Sequence, residues 1–166
     1  MRESWLEGKL ENVDALLQPA AHALVQARRD IERACENLTC SQVWRQPNGA
    51  PSVGFHLRHV AGSIDRLLTY ARGENLTENQ FAFLKREAIA DDAESSTALV
   101  AAATAAIETA LQTVRAAAPE TLFEPRFVGR ERLETNVFGL LFHIAEHTQR
   151  HTGQIVTTAK VAKGDN

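Results

Sequence analysis

The chain has only two cysteines, Cys35 and Cys40, in 166 residues, too few for a disulfide framework and in keeping with a reducing compartment. Its 18 basic and 21 acidic residues leave a net charge of −3, and Lys and Arg are spread along the chain. The basic footprint of a nucleic-acid binder is therefore missing. No stretch reads as apolar enough to span a bilayer, and the N-terminal Arg2-Glu3-Ser4-Trp5-Leu6-Glu7 lacks the apolar core of a signal peptide. The expected location is cytoplasmic, with no membrane partner. Repeats, low-complexity segments, a Gly-rich phosphate loop and a Ser/His/Asp arrangement are not evident. No Glu-x-x-His occurs, which sets aside the carboxylate-bridged di-iron chemistry that some helical bundles carry. No segment keeps a two-residue alternation, so strands are not expected.

What remains is helical periodicity. Length and an apolar share of 44% fit one domain over residues 1–166 with a sizeable core. A first helix is expected from about Asn12 to Asn37, with Val13, Leu16, Leu17, Ala20, Leu24, Ala27 and Ile31 on one face and a kink at Pro19. A loop, Thr39 to Pro51, contains Trp44, Pro47, Asn48-Gly49 and Pro51. Ser52 caps a second helix that ends near Gly73, its stripe formed by Val53, Leu57, Val60, Ile64, Leu67 and Leu68. Residues 74–92 form a long connection. Within it Thr77-Glu78-Asn79-Gln80 reads as the capping box of a short helix, whose Phe81, Phe83 and Leu84 tuck against the body. The Ala-rich third helix runs from about Asp92 to Ala117 and stops at Pro119. An irregular connection with Pro125 and Gly129 leads to Thr135, a cap for a fourth helix that fades after Ala162. The chain is thus expected to be all-α, a four-helix bundle, with a connection between helices two and three long enough to cross it end to end.

Five of the six histidines fall in two places, His56-Leu-Arg-His59 and His143-Ile-Ala-Glu-His147-Thr-Gln-Arg-His151. Histidines four apart lie one turn apart and about 40° around the helix axis, so His147 and His151 can converge on one ion. The same spacing also fits a plain histidine stripe. The metal reading gains weight from the apolar neighbours Phe138, Leu141, Ile144 and Ile155, and from the second histidine pair. If helices two and four pack antiparallel, the start of one lies beside the later half of the other. His59, deeper from its helix start, is the expected third ligand. His56 then lines the pocket mouth or faces solvent, and His143 drifts off the metal face toward pocket lining or core. Glu146 and Gln154 can orient imidazoles, as can Asp65, while Arg58 and Arg150 are expected to face solvent. His22 reads as an ordinary helix histidine, and both cysteines as structural thiols. The donors are nitrogen-rich and suit one divalent transition metal, Ni, Zn or Fe. No catalytic residue is singled out.

At Ser52-Val-Gly-Phe-His56-Leu-Arg-His59-Val-Ala-Gly62 and Phe142-His143-Ile-Ala-Glu-His147-Thr-Gln-Arg-His151-Thr-Gly-Gln154 the chain resembles the DinB-like superfamily, and Trp44-Arg-Gln-Pro47 resembles that family's entry to helix two. The resemblance implies an up-down-down-up bundle, often a homodimer. It also implies a divalent metal held by His59, His147 and His151. Characterised relatives, among them bacillithiol transferases and a mycothiol-dependent isomerase, use the metal to activate a low-molecular-weight thiol. A metal-dependent S-transferase acting on small electrophiles is the expectation that follows. The alternatives are a non-catalytic metal-binding stress-response bundle, or a hydrolase using the same three-histidine site.

Overall fold

The computed structural model describes residues 2–91 and 93–164. The protein is mostly helical. Four long helices, α1 (Gln18–Cys35), α3 (Val53–Ala71), α5 (Ser96–Ala116) and α6 (Val137–Lys163), pack against one another. Two short ones, α2 (Cys40–Trp44) and α4 (Glu78–Arg86), lie in the connections. The core between the long helices includes Leu24, Ile31, Leu57, Ile64, Leu99, Ile107, Leu111, Leu141, Ile144 and Ile155, all essentially inaccessible.

Local chemistry explains most helix ends. Ser52 accepts the Phe55 amide at 3.1 Å to start α3, and Gly73, at φ +80°, follows its last turn. Thr77 and Gln80 form the capping box of α4. Pro19 sits in the first turn of α1, where its missing N–H costs nothing, so it starts the helix rather than kinking it. The expected loop after α1 contains α2, with its own Thr39–Gln42 capping box. Asp92, the expected start of the third helix, lies outside the described residues, as do Asp165 and Asn166 of the expected tail. Within the described residues α5 starts at Ser96 on a Ser95 cap.

Four further expectations are corrected. The connection before α6 is a β-hairpin, β1 (Pro125–Val128) paired antiparallel with β2 (Leu133–Asn136), Arg126 opposite Thr135. The cap of α6 is not Thr135 but Asn136, the last residue of β2, whose side chain accepts the Gly139 amide at 2.7 Å. On α4, Phe81 and Leu84 stay over two-fifths exposed, and the helix docks through Phe83 and through Gln80, which donates to Asp65 and Thr69 at 2.8 Å. Finally, α5 is long and apolar enough to cross a membrane by length and composition, with mean hydropathy 1.3. Its alanines raise that average. Leu99, Ala103, Ile107, Leu111 and Val114 nevertheless form a stripe at helical spacing that is buried against α1 and α3.

Helix directions show in facing pairs. Arg28 of α1 pairs with Glu108 of α5 at 2.8 Å, and Ser96 donates to the Leu38 carbonyl at 2.7 Å. Gln149 of α6 donates to the Ala23 carbonyl at 2.7 Å. Arg58, near the start of α3, meets Glu94, just ahead of α5, at 2.6 Å.

The entry to α3 is tight at Gly54. A Cβ there would lie 2.6–2.9 Å from the Trp44 ring. Gly54→Ala is expected to push Trp44 off its seat and to destabilise the protein by roughly 1–3 kcal/mol, the usual cost of overpacking. Chemical denaturation read by Trp fluorescence checks this, and an unchanged midpoint would show that the indole simply slides. Cys35 is 5% exposed, and burial pushes its thiol pKa up to about 11. At pH 8 roughly one such thiol in a thousand is ionised. Mass spectrometry after brief native alkylation should find Cys35 unmodified, and modified once the chain is unfolded.

Candidate metal centre

The start of α3 and the middle of α6 bring five imidazoles into one row. His56 faces His151 and His59 faces His147, each with ring centroids 5.1 Å apart. Position therefore rises along α3 as it falls along α6, so the two helices run antiparallel here. His59 is also 4.5 Å from His151, and His147 is 4.6 Å from His151. One ligand nitrogen from each of His59, His147 and His151 lies within 4.8 Å of the other two. All three residues are half-buried, at the junction where the apolar stripes of α3 and α6 meet.

The electrostatics suit a cation. Burial, then the neighbouring His59 imidazole, pushes the pKa of His147 down to about 4 and that of His151 down to about 3. Both are neutral at pH 7 and offer lone pairs, the form in which imidazole ligates. The Nδ1 of His147 is buried without a hydrogen-bond partner among the described residues. An orphaned buried polar atom beside two other imidazoles fits a metal ion better than it fits a finished hydrogen-bond network. The donors present therefore suit the group.

The flanking residues divide into three sets. His56 is buried, not at a solvent-facing mouth, and its Nδ1 lies 2.9 Å from the Nδ1 of His151. One of the two must donate. Donation by His151 leaves its Nε2 available as a ligand. His143 is 46% exposed on its side chain, with its Nδ1 2.7 Å from Glu146, which in turn accepts from Arg150. Glu146 thus orients an imidazole, but the rim His143 and none of the three clustered ones. Gln154 is exposed. Arg150 faces solvent as expected, whereas Arg58 does not. The Arg58 guanidinium stacks 4.6 Å over Trp44, pairs with Glu94 and donates to the carbonyls of Arg86 and Ile89. It is thereby held against the segment that follows α4. His22 is bonded to Ser4 at 3.0 Å, an ordinary packed histidine.

One residue of the site carries no local signal in the sequence. Glu87, just past α4, is 2% exposed and accepts the Nδ1–H of His59 at 2.7 Å and Arg66 Nη1 at 2.7 Å. Its partners lie 28 and 21 residues upstream.

A mostly helical chain with three histidines gathered from two facing helices, His147 and His151 held neutral by burial, fits the class of helical proteins that could bind a metal ion between helices. The family model of the DinB superfamily matches residues 23–155, and the chain belongs to that superfamily. No curated protein matches it.

Proposed function

We propose that this DinB-superfamily protein holds one divalent transition metal with His59, His147 and His151, and uses it as an S-transferase that joins a low-molecular-weight thiol to a small electrophile. The observation that carries the reading is the convergence of three half-buried imidazoles, two of them held neutral by burial. An ion bound by three histidines keeps open positions and, when present, favours the thiolate of a coordinating thiol at neutral pH. The chain's own part is to keep His147 and His151 unprotonated through burial. The rim row of His143, Glu146 and Arg150 offers charge and hydrogen bonds to the polar body of a thiol.

The proposal includes an up-down-down-up bundle, with α3 and α5 parallel across the long connection. Residues 28 and 38 facing 108 and 96, 56 and 59 facing 151 and 147, and 58 beside 94 support it. It also includes a homodimer in the cytoplasm.

The test is the protein reconstituted separately with Ni, Zn or Fe(II), supplied with cysteine, glutathione or coenzyme A and an aryl halide acceptor. Thioether formation that needs both metal and thiol, and that disappears in His147→Ala, is the expected result. Metal-dependent ester hydrolysis without thiol transfer would replace the transferase by a hydrolase. Full metal occupancy with neither activity would leave the non-catalytic reading.

A further inference from the structure

The connection between α3 and α5 does more than cross the molecule. It delivers a carboxylate to the back of the histidine cluster. Three positions on α3, spaced three and four apart and hence on one face, build the seat for Glu87. His59 donates to Oε2 and Arg66 donates to Oε1. Gly62 lies between them, where a Cβ would strike Glu87 Oε1 and come within 2.7 Å of Arg66 Nη1 and the Phe83 ring. The absent side chain at Gly62 is what lets the carboxylate reach His59. Glu87 is 2% and Arg66 9% exposed, so both charges are withdrawn from water. A buried ion pair is seldom the most stable filling for such a space. Here it is aimed at one nitrogen of a clustered imidazole.

We propose that Glu87 is a positioning residue for the metal centre, holding His59 in the Nδ1–H tautomer so that Nε2 is its ligating nitrogen, and that Arg66 fixes Glu87 in turn. The inference rests on the metal reading above. Its physics is that of a carboxylate behind a ligating histidine: the acceptor fixes the tautomer and ring rotation and makes the far nitrogen a better donor. The role of α4 follows. Its capping box and its Gln80 contacts to Asp65 and Thr69 anchor the segment that ends at Glu87.

The experiment titrates the metal-free full chain with Co(II), read by its visible ligand-field absorption. Single charge removal can unfold the protein, so two double variants are compared. Arg66→Met with Glu87→Gln removes the ion pair but keeps an oxygen to accept from His59. Arg66→Met with Glu87→Leu removes the acceptor as well. Glu87→Asp keeps the charge and shortens its reach, and serves if either double variant fails to fold. The Leu variant is expected to bind Co(II) about 10–100-fold more weakly than wild type, with the Gln variant much closer to wild type and the Asp variant between them. Nitrogen-15 NMR of the metal-free wild type should show His59 as the Nδ1–H tautomer, and the Leu variant should lose that preference. Equal affinity in folded Gln and Leu variants, or wild-type affinity in Glu87→Asp with an unchanged tautomer, overturns the positioning role alone. A wild type that binds no Co(II) overturns the metal reading and this inference with it.

Discussion

Replacing His147 by alanine is expected to strip the protein of stoichiometric divalent metal while leaving its helices in place. His147 is the middle imidazole of the row, with ring centroids 5.1 Å from His59, 4.6 Å from His151 and 5.4 Å from His143. Its buried Nδ1 makes no hydrogen bond among the described residues, so the substitution breaks none there. Alanine is also the better helix former. The fold therefore loses little, whereas the site loses one of three donors. Removing only an outer partner of a ligand costs up to roughly 100-fold in metal affinity, and removing the ligand itself should exceed that. Elemental analysis by mass spectrometry of untagged wild type beside His147→Ala, His59→Ala and His56→Ala checks it. About one metal per chain in wild type, absent from the first two variants, is expected. Metal kept by His59→Ala but lost by His56→Ala would move the third ligand one turn along α3. A wild type that stays metal-free after reconstitution would remove the site.

The largest stability effect is expected at Arg66→Met. Methionine fills much of the arginine stem, so packing is largely kept, but Glu87, 2% exposed, is left with the hydrogen bond from His59 and without its cation. Breaking a buried pair from one side costs about 3–5 kcal/mol, because the remaining charge has lost its compensation without regaining water. That is a large part of the stability of a domain this size. Urea unfolding followed by circular dichroism should show the midpoint fall sharply. The double variant Arg66→Met with Glu87→Leu should recover much of the loss, since an apolar filling owes nothing to a missing partner. A loss below about 1 kcal/mol in the single variant would mean that water reaches Glu87.

Helix positions were legible wherever the signal was local. Ser52, the Thr77–Gln80 box and Gly73 each mark an end through hydrogen bonds or backbone angles within a few residues of themselves. That His56 and His59 could meet His147 and His151 was readable only on the condition that their helices pack antiparallel: the apolar faces say that the two helices are buried together, and not in which direction they run. The hairpin was not readable. Its strands are four residues each, Val128 and Leu133 lie near a turn, and the burial along them does not alternate cleanly on both strands. The in-turn place of Pro19 depended on where α1 begins, which is set by Asp14 accepting the Leu16 amide just upstream.

Glu87 marks the boundary most sharply. Periodicity and capping belong to neighbours along the chain, and they specify which residues form a helix and which of its faces is apolar. They carry no information about which distant segment comes to lie on that face. Glu87 meets His59 and Arg66 because the connection between α3 and α5 folds back onto α3 over a glycine, and the same connection supplies the Arg86 and Ile89 carbonyls and Glu94 that turn Arg58 from solvent. The histidine row was written in helical spacing. Its buried carboxylate arises from packing between segments, where the cost of burying a charge is met by partners far away in the chain.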